Sequence, residues 1–272
     1  MFIKMKVLVV TAFIDIQRGS WPHWTRTNDE YINWFSNLIQ VPEIEIICFC
    51  ETTIKDQIIE QLRYNGISYD KNRITFTPIF YEDTFFVYID KESEIMQSAN
   101  FLDIVGPRRG HPEHCVPAYN CIQHSKVNFV RKAVDLKPNY THYAWIDFGY
   151  LRNKNDIPSS KPSWELLFND DKIHYIGFRD VIPTEEFDPI QTCKYAPEVI
   201  QGSFFIVPKP LVYWYETAYC DMLHKYHLLG IADDDQAIAL QVMCKDKDNF
   251  TINTNNNWFQ VFNMMHNPSG GQ

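Results

Sequence analysis

Residues 143–152 read YAWIDFGYLR, an apolar run that ends at one carboxylate, Asp147, followed within two positions by Gly149. The run Tyr143–Ile146 predicts a buried strand. A carboxylate at the end of such a strand costs several kcal/mol to desolvate unless a cation or hydrogen-bond donors meet it. We interpret Asp147 either as a ligand of Mg²⁺ or Mn²⁺, which prefer oxygen ligands, or as a turn residue that caps the chain or pairs with Arg152.

Strand and helix patterns alternate upstream of this stretch. The predicted strands are KVLVVTAFI (6–14), EIEIICFCE (43–51) and RITFTPIF (73–80). The predicted helices between them are NDEYINWFSNLIQ (28–40) and TTIKDQIIEQLRYNG (52–66). Asn28 is the expected N-cap of the first helix, and Gly66 the expected stop of the second. This alternation predicts an α/β fold with a central, mostly parallel sheet flanked by helices.

The rest of the chain continues the alternation without repeats or a long linker. Further strands are predicted in HYIGF (174–178) and IQGSFFIVPK (200–209), and helices in 119–136, 212–230 and 231–246. The tail 255–272 is expected to be partly strand and frayed at its end. We predict one compact α/β domain over 1–272, with a frayed tail at 266–272.

Composition excludes several classes of protein. The chain has 272 residues, 45% of them hydrophobic, and a net charge of −9, which argues against disorder and against a nucleic-acid partner. It contains no apolar run of about 18 residues, so no membrane span is expected. Its seven cysteines form no CxxC pair and predict reduced thiols in a cytoplasmic protein. A zinc site built from Cys115, Cys121 and His111 or His114 is the alternative use of these residues.

The loop after the first strand, TAFIDIQRG (11–19), is a candidate nucleotide site, because ligands of open α/β sheets bind at the carboxyl ends of strands. Thr11 and the backbone at Ala12 and Phe13 are placed to contact a base. Asp15 and Arg18 follow, and the arginine suits phosphates. A solvated loop with surface charges is the other interpretation.

Two further segments carry ionisable groups suited to transfer chemistry. Lys126 lies on a predicted helix just before the Asp147 strand and would meet a phosphate, unless it faces solvent. In ADDDQ, one aspartate suffices to cap a helix, whereas Asp233, Asp234 and Asp235 are three. Crowded carboxylates raise one another's pKa, which suits a general base; we favour Asp234, then Asp235. His266 is either a late metal ligand or a tail residue without function.

Four segments carry a resemblance to a known family, HtrL/YibB. They are VTAFIDIQRGSW (10–21), RTNDEYINWFSNL (26–38), YNCIQHSKVNFV (119–130) and WIDFGYLR (145–152). That family resembles glycosyltransferases of the GT-A fold, which use nucleotide sugars and usually Mn²⁺ or Mg²⁺. The resemblance implies that Asp147 matches the first aspartate of the DxD metal motif. The chain departs from that motif at Gly149, where the second aspartate would stand.

The resemblance also implies a GT-A-like (Rossmann-like) domain with a nucleotide-binding half at about 1–150 and an acceptor half at about 151–265. It assigns roles to segments of the second half. QGSFFIV, with Gln201 and Gly202, is similar to the segment that lines the donor sugar; ADDDQ resembles the acidic helix start that meets the acceptor or supplies the base. His266 resembles the late metal-binding histidine of some such families. The implied donor is a nucleoside diphosphate sugar, UDP-linked, and the implied acceptor is a saccharide hydroxyl, free or on protein or lipid.

Four alternatives to a metal-assisted, inverting transferase stay open. A retaining transferase would need no such base, and Asp233, Asp234 and Asp235 would instead orient the acceptor or the donor. The phosphates would be held without metal by Arg18, Lys126 and Arg152. The site would have decayed into a non-catalytic carbohydrate-binding or scaffold surface, a possibility raised by Gly149. The same site would hydrolyse a nucleotide sugar instead of transferring its sugar.

Overall fold

The computed structural model describes residues 5–179, 188–255 and 257–266. The described residues form one seven-stranded sheet. Its strands are β1 (Val7–Phe13), β2 (Glu45–Cys50), β3 (Ile74–Thr77), β4 (His142–Ile146), β5 (Ile173–Gly177), β6 (Ile200–Pro208) and β7 (Phe250–Thr254), in the order β3-β2-β1-β4-β6-β5-β7. Strands from both predicted halves of the chain therefore pair within a single sheet.

The sheet is mostly parallel, as predicted. Strand β1 pairs in parallel with both β2 and β4, β2 with β3, and β5 with β7. Strand β6 is the exception, since it runs antiparallel to β4 and to β5. Because of this reversal, the first residues of β6 lie beside the last residues of β4, where Ile146 pairs with Phe204. The predicted fold class is confirmed.

Helices cover both faces of the sheet. They are α1 (Asn28–Ile39), α2 (Thr52–Tyr64), α3 (Ile89–Gln97), α4 (Ala99–Val105), α5 (Pro112–Cys115), α6 (Pro117–Leu136), α7 (Pro189–Tyr195), α8 (Val212–Leu228), α9 (Asp235–Lys245) and α10 (Val261–His266). Alternation along β1 separates two cores. Leu8 and Val10 join the core beneath α3, α4, α6, α8 and α9, whereas Val9 joins the core beneath α1, α2 and α10. In the described part of the chain, no helix is long and apolar enough to cross a membrane.

The predicted N-cap of α1 is wrong by one residue. The Thr27 hydroxyl, not Asn28, accepts from the Glu30 backbone N–H at 3.2 Å, and the Glu30 carboxylate accepts from the Thr27 backbone N–H at 2.7 Å. This reciprocal capping box satisfies two backbone donors at the helix start. The hydrogen bonds to Thr27 also lower the pKa of Glu30.

The C-terminal prediction needs correction as well. The last strand lies at 250–254, before the segment expected to be partly strand, and α10 follows within that segment. Strand β7 lies at the sheet edge and pairs only with β5 within the described ranges, so its pattern is weak: Phe250 is buried, while the next residues are half-buried or exposed. Of the frayed tail expected at 266–272, residue 266 ends α10 and residues 267–272 lie outside the described residues.

Gly177 ends β5 and packs tightly against β7 at the edge of the sheet, so a substitution at Gly177 tests this packing. A Cβ here would lie 2.4 Å from Ile252 Cγ2 and 2.7 Å from the Val199 carbonyl oxygen, and a backbone atom yields little. We expect Gly177→Ala to lower the free energy of unfolding by about 1–3 kcal/mol, measured by urea denaturation. Gly110→Ala is the control, because a Cβ at Gly110 meets nothing within 4 Å. Equal urea midpoints for the two variants would contradict the expectation.

Candidate functional site

A cavity of about 540 Å³ lies where β1 and β4 end and β6 begins. The reversed β6 brings its N-terminal residues to this edge, and the Asp147 backbone N–H donates to the Ser203 carbonyl oxygen at 3.0 Å. The walls also include residues of the loop after β1 and of α6, together with the start of α9. The three segments that the sequence singled out at strand ends therefore meet in one place.

Lys126 lies at the centre of this site. Its ammonium nitrogen lies 2.8 Å from Asp235 Oδ2, 3.2 Å from Asp147 Oδ1 and 2.9 Å from the Gly202 carbonyl oxygen. An ammonium group has three donors, so these acceptors match its capacity. Lys126 is only 4% exposed. It does not face bulk solvent, and its charge is already shared between two carboxylates.

This ion pair shapes the acid–base properties of the cavity. Burial alone would lower the pKa of Lys126, but Asp147 and Asp235 outweigh it and raise that pKa. Burial raises the pKa of Asp235 to about 7, although Lys126 offsets part of the effect. A carboxylate with a pKa near 7 is suited to accept a proton at neutral pH.

Two glycines permit the close packing around these charges. A Cβ on Gly202 would lie 2.7 Å from Asp235 Oδ2, so a side chain there would displace the carboxylate. A Cβ on Gly149 would lie 2.8 Å from Trp34 Cε3 and 3.0 Å from Tyr31 Cδ1. The space that a side chain at position 149 would need is thus filled by two aromatic rings.

Asp147 offers a limited ligand set for a divalent cation. Its Oδ1 accepts from Trp145 Nε1 at 2.8 Å as well as facing Lys126, and its side chain is 35% exposed to the cavity. One carboxylate together with substrate phosphates and water is an accepted set for Mg²⁺. The residues fit such an ion when a diphosphate is present. His266 ends α10, and its side chain lies outside the part of the chain that the structure describes.

Three arginines, Arg18, Arg26 and Arg152, also line the cavity. Burial lowers the pKa of Arg152, and the charges of Arg26 and Arg18 lower it further. Arg18 donates to the Trp24 carbonyl oxygen at 3.0 Å, which fixes its guanidinium group. Like charges gathered in this way favour an anion, and guanidinium groups bind phosphate in bidentate fashion. Sequence reasoning named Arg18 as a contact for phosphates. Only the folded loops show that Arg26 and Arg152 line the same cavity as Arg18.

The remaining nucleotide-site predictions divide between the cavity and the core. Ala12, Phe13 and Asp15 line the cavity. Thr11 is fully buried in β1 and does not line it, and neither does Gln201. The Gln201 side-chain amide instead donates to the Asn257 carbonyl oxygen at 3.2 Å, tying β6 to the segment after β7.

The three aspartates of ADDDQ point to three different places. Asp234, the base favoured from sequence, is the N-cap of α9 and accepts from the Gln236 backbone N–H at 3.0 Å. Asp233 is buried outside the cavity and accepts from the Asp234 backbone N–H at 2.9 Å. Of the three, Asp235 lines the cavity. The geometry therefore favours Asp235 for any role in proton transfer.

The chain belongs to the HtrL/YibB family, described as bacterial proteins of unknown function, whose sequence pattern matches residues 5–267. No curated protein matches significantly. Among solved structures, the mannosyltransferase Ktr4p from S. cerevisiae in complex with GDP has a TM-score of 0.51 at 11% identity, covering 92% of this chain and 69% of that one. This likeness shows a fold shared with a GT-A-type glycosyltransferase.

Two other solved structures match at a TM-score of 0.42, each over 92% of this chain. One is a glycosyltransferase involved in glycosylation of the major capsid of PBCV-1, at 9% identity and covering 81% of that chain. The other is 4-diphosphocytidyl-2C-methyl-D-erythritol synthase from Anaerococcus prevotii, at 14% identity and covering 87% of that chain.

The buried ion pair predicts a large loss of stability when its cation is removed. We expect Lys126→Met to lower the free energy of unfolding by about 3–5 kcal/mol, because Asp235 is then buried without its partner. Adding Asp235→Asn should restore more than 1 kcal/mol, roughly the coupling of contacting charges. Urea denaturation of the two single variants and the double variant measures this coupling. Lys91→Met, which removes an exposed pair with Glu94, is the control and should cost about 0.5 kcal/mol or less. Additive effects of Lys126→Met and Asp235→Asn would contradict the ion pair.

Proposed function

We propose that this protein transfers a sugar from a nucleoside diphosphate sugar, UDP-linked, to a saccharide hydroxyl. The observation that carries the proposal is that one cavity contains both cationic groups for a diphosphate and a carboxylate that can accept a proton. Three arginines suit a diphosphate, and a carboxylate whose pKa is about 7 lies in the same cavity, at the start of α9. The fold, shared with a GT-A-type glycosyltransferase, supports this choice among phosphate-binding functions.

The donor would lie along the carboxyl ends of β1 and β4. The backbone at Ala12 and Phe13 would contact the nucleoside, and Arg18 and Arg152 would bind the diphosphate. When bound to Asp147 and the diphosphate, Mg²⁺ or Mn²⁺ would neutralise charge on the departing nucleotide. The arginines would stabilise the same charge as it develops.

The chemical step that we propose inverts the anomeric centre. The acceptor hydroxyl oxygen attacks C1 of the donor sugar, the bond from C1 to the diphosphate oxygen breaks, and the electron pair leaves with the nucleoside diphosphate. Asp235 takes the hydroxyl proton in its ionised form. Lys126 keeps Asp235 oriented through the 2.8 Å ion pair, and Gly202 leaves the space that the carboxylate needs.

The rim of the cavity suits a saccharide acceptor. Trp24 and Trp258 line the cavity and are 54% and 37% exposed, a large fraction for tryptophan. Aromatic faces of this kind pack on the apolar faces of sugar rings. We also place the reaction in the cytoplasm, which is consistent with seven free cysteines.

Donor binding is tested first by thermal shift with UDP, GDP, CMP and ADP, each with and without Mn²⁺. We expect UDP to raise the melting temperature because it binds only the native state, and Mn²⁺ to increase that rise through Asp147. Asp147→Ala should keep the arginine contacts but lose the increment due to Mn²⁺. Asp156→Ala, a change in a surface turn outside the cavity, is the control. No shift with any nucleotide would overturn the transferase proposal in favour of a scaffold.

The role of Asp235 is tested by steady-state transfer kinetics. We expect Asp235→Asn to lower kcat by roughly 10²–10⁴-fold while UDP binding is retained, as for loss of a general base. Since the base must be ionised and its pKa is about 7, wild-type kcat should fall about tenfold per pH unit as the pH drops below 7.

Asp234→Ser is the matched control, because serine also caps helices and should preserve most of the activity. Equal losses at Asp234 and Asp235 would contradict the assignment. Release of free sugar at a rate that added acceptor does not change would identify a hydrolase instead.

A further inference from the structure

A second cluster of ionisable side chains lies behind the cavity wall. It joins His114 on α5, Cys193 on α7 and Asp233 just before α9, and all three are buried. None of them lines the cavity. Cys193 is 79 residues from His114 in sequence, so the fold alone brings the cluster together.

The three side chains converge on one point. Cys193 Sγ lies 3.9 Å and Asp233 Oδ1 4.0 Å from the same atom, His114 Nε2. A nucleophilic triad would place its thiol and its carboxylate on opposite imidazole nitrogens, so this arrangement is not one. All three ligand atoms lie within 4.8 Å of one another. The point equidistant from the three atoms of such a triangle is at most about 2.5 Å from each of them, close to the 2.3 Å of a zinc–sulfur bond.

Neighbouring groups orient the cluster as they would around a metal. His114 Nδ1 hydrogen-bonds to the Arg108 carbonyl oxygen at 3.2 Å, which makes Nδ1 the donor and leaves the Nε2 lone pair facing Cys193 and Asp233. Metal-binding histidines are commonly fixed by this contact. Asp233 Oδ2 is buried and has no hydrogen-bond partner in the described part of the chain. A buried carboxylate oxygen without a partner is costly, and a cation would satisfy it.

We propose that His114, Cys193 and Asp233 bind one Zn²⁺ per chain. A thiolate and an imidazole with one carboxylate select zinc over Mg²⁺ or Mn²⁺, which prefer oxygen ligands. The Ala232 carbonyl oxygen lies 3.7 Å from Cys193 Sγ and accepts from its thiol. This site is separate from the cation expected at Asp147 and does not depend on the proposed function.

The zinc would act as a clamp on the loop that carries Asp235. Asp233 is two residues from Asp235, and α5 contributes Pro112 and Glu113 to the cavity wall. One ion would therefore tie α5, α7 and the start of α9 to a common point. Its loss should loosen the cavity wall without removing any group that lines it.

Metal content tests the site directly, on the full chain without an affinity tag. The background carries Cys115→Ser, because Cys115 is an exposed free thiol to which added metal would bind adventitiously. After exchange with excess Zn²⁺ and extensive dialysis, mass spectrometry of the metal should give about one zinc per chain. Cys193→Ala should hold less than about a tenth of that. Cys121→Ala removes another buried cysteine and should keep the full amount.

Two further readouts keep the test decisive. Co²⁺ in place of zinc should give a thiolate-to-cobalt absorption band in the background protein and in Cys121→Ala, but not in Cys193→Ala. Zn²⁺ should raise the melting temperature of the same two proteins by about 5 °C or more. If Cys193→Ala fails to fold, Asp233→Asn takes its place. The proposed site would be overturned if the background protein held less than about a tenth of a zinc ion per chain. It would also be overturned if Cys193→Ala held as much zinc as Cys121→Ala. Sugar transfer is not measured, so either result leaves the proposed function standing.

Discussion

The buried ion pair between Lys126 and Asp235 is the interaction on which the site depends. It joins the middle of α6 to the start of α9 across 109 residues of sequence, and Asp147 at the end of β4 completes it. A buried ammonium and carboxylate each lose several kcal/mol of hydration, which only close geometry and further acceptors return. The Gly202 carbonyl oxygen supplies one such acceptor. Three elements are thereby held at one point, and the carboxylate of Asp235 is fixed beside a cavity.

The reversal of β6 makes this meeting possible. In a wholly parallel sheet the segment QGS, at the start of a strand, would lie at the edge opposite the end of β4. Running antiparallel, β6 places Gly202 and Ser203 beside Asp147. Glycine is then needed where backbone and side chains approach most closely: Gly202 beside Asp235, and Gly149 beneath Trp34 and Tyr31. A side chain at position 149 would collide with both rings.

Three adjacent aspartates illustrate how one segment divides its roles. Asp234 satisfies a backbone donor at the start of α9, Asp235 faces the cavity, and Asp233 turns into the protein toward His114 and Cys193. Their side chains leave the backbone in different directions because the chain passes from an extended residue into the first turn of a helix. Crowding and burial act together on the group, and for Asp235 burial is the larger cause of its raised pKa.

Local sequence patterns determined the mostly parallel α/β class, β1 to β3, α1, α2 and α9, because hydrophobic period and capping signals act over a few residues. Strand-end residues such as Asp147 and Arg18 were found for the same reason. The N-cap of α1 was located only to within one residue, because Thr27 and Asn28 are both good capping residues and the structure uses Thr27. Tertiary structure alone decided that Lys126 faces carboxylates, that Asp235 rather than Asp234 enters the cavity, and that Thr11 and Gln201 do not line it. It also decided that His114 meets Cys193. These outcomes depend on strand direction and on which helix face turns inward between segments far apart in sequence, and no short-range pattern encodes such distances.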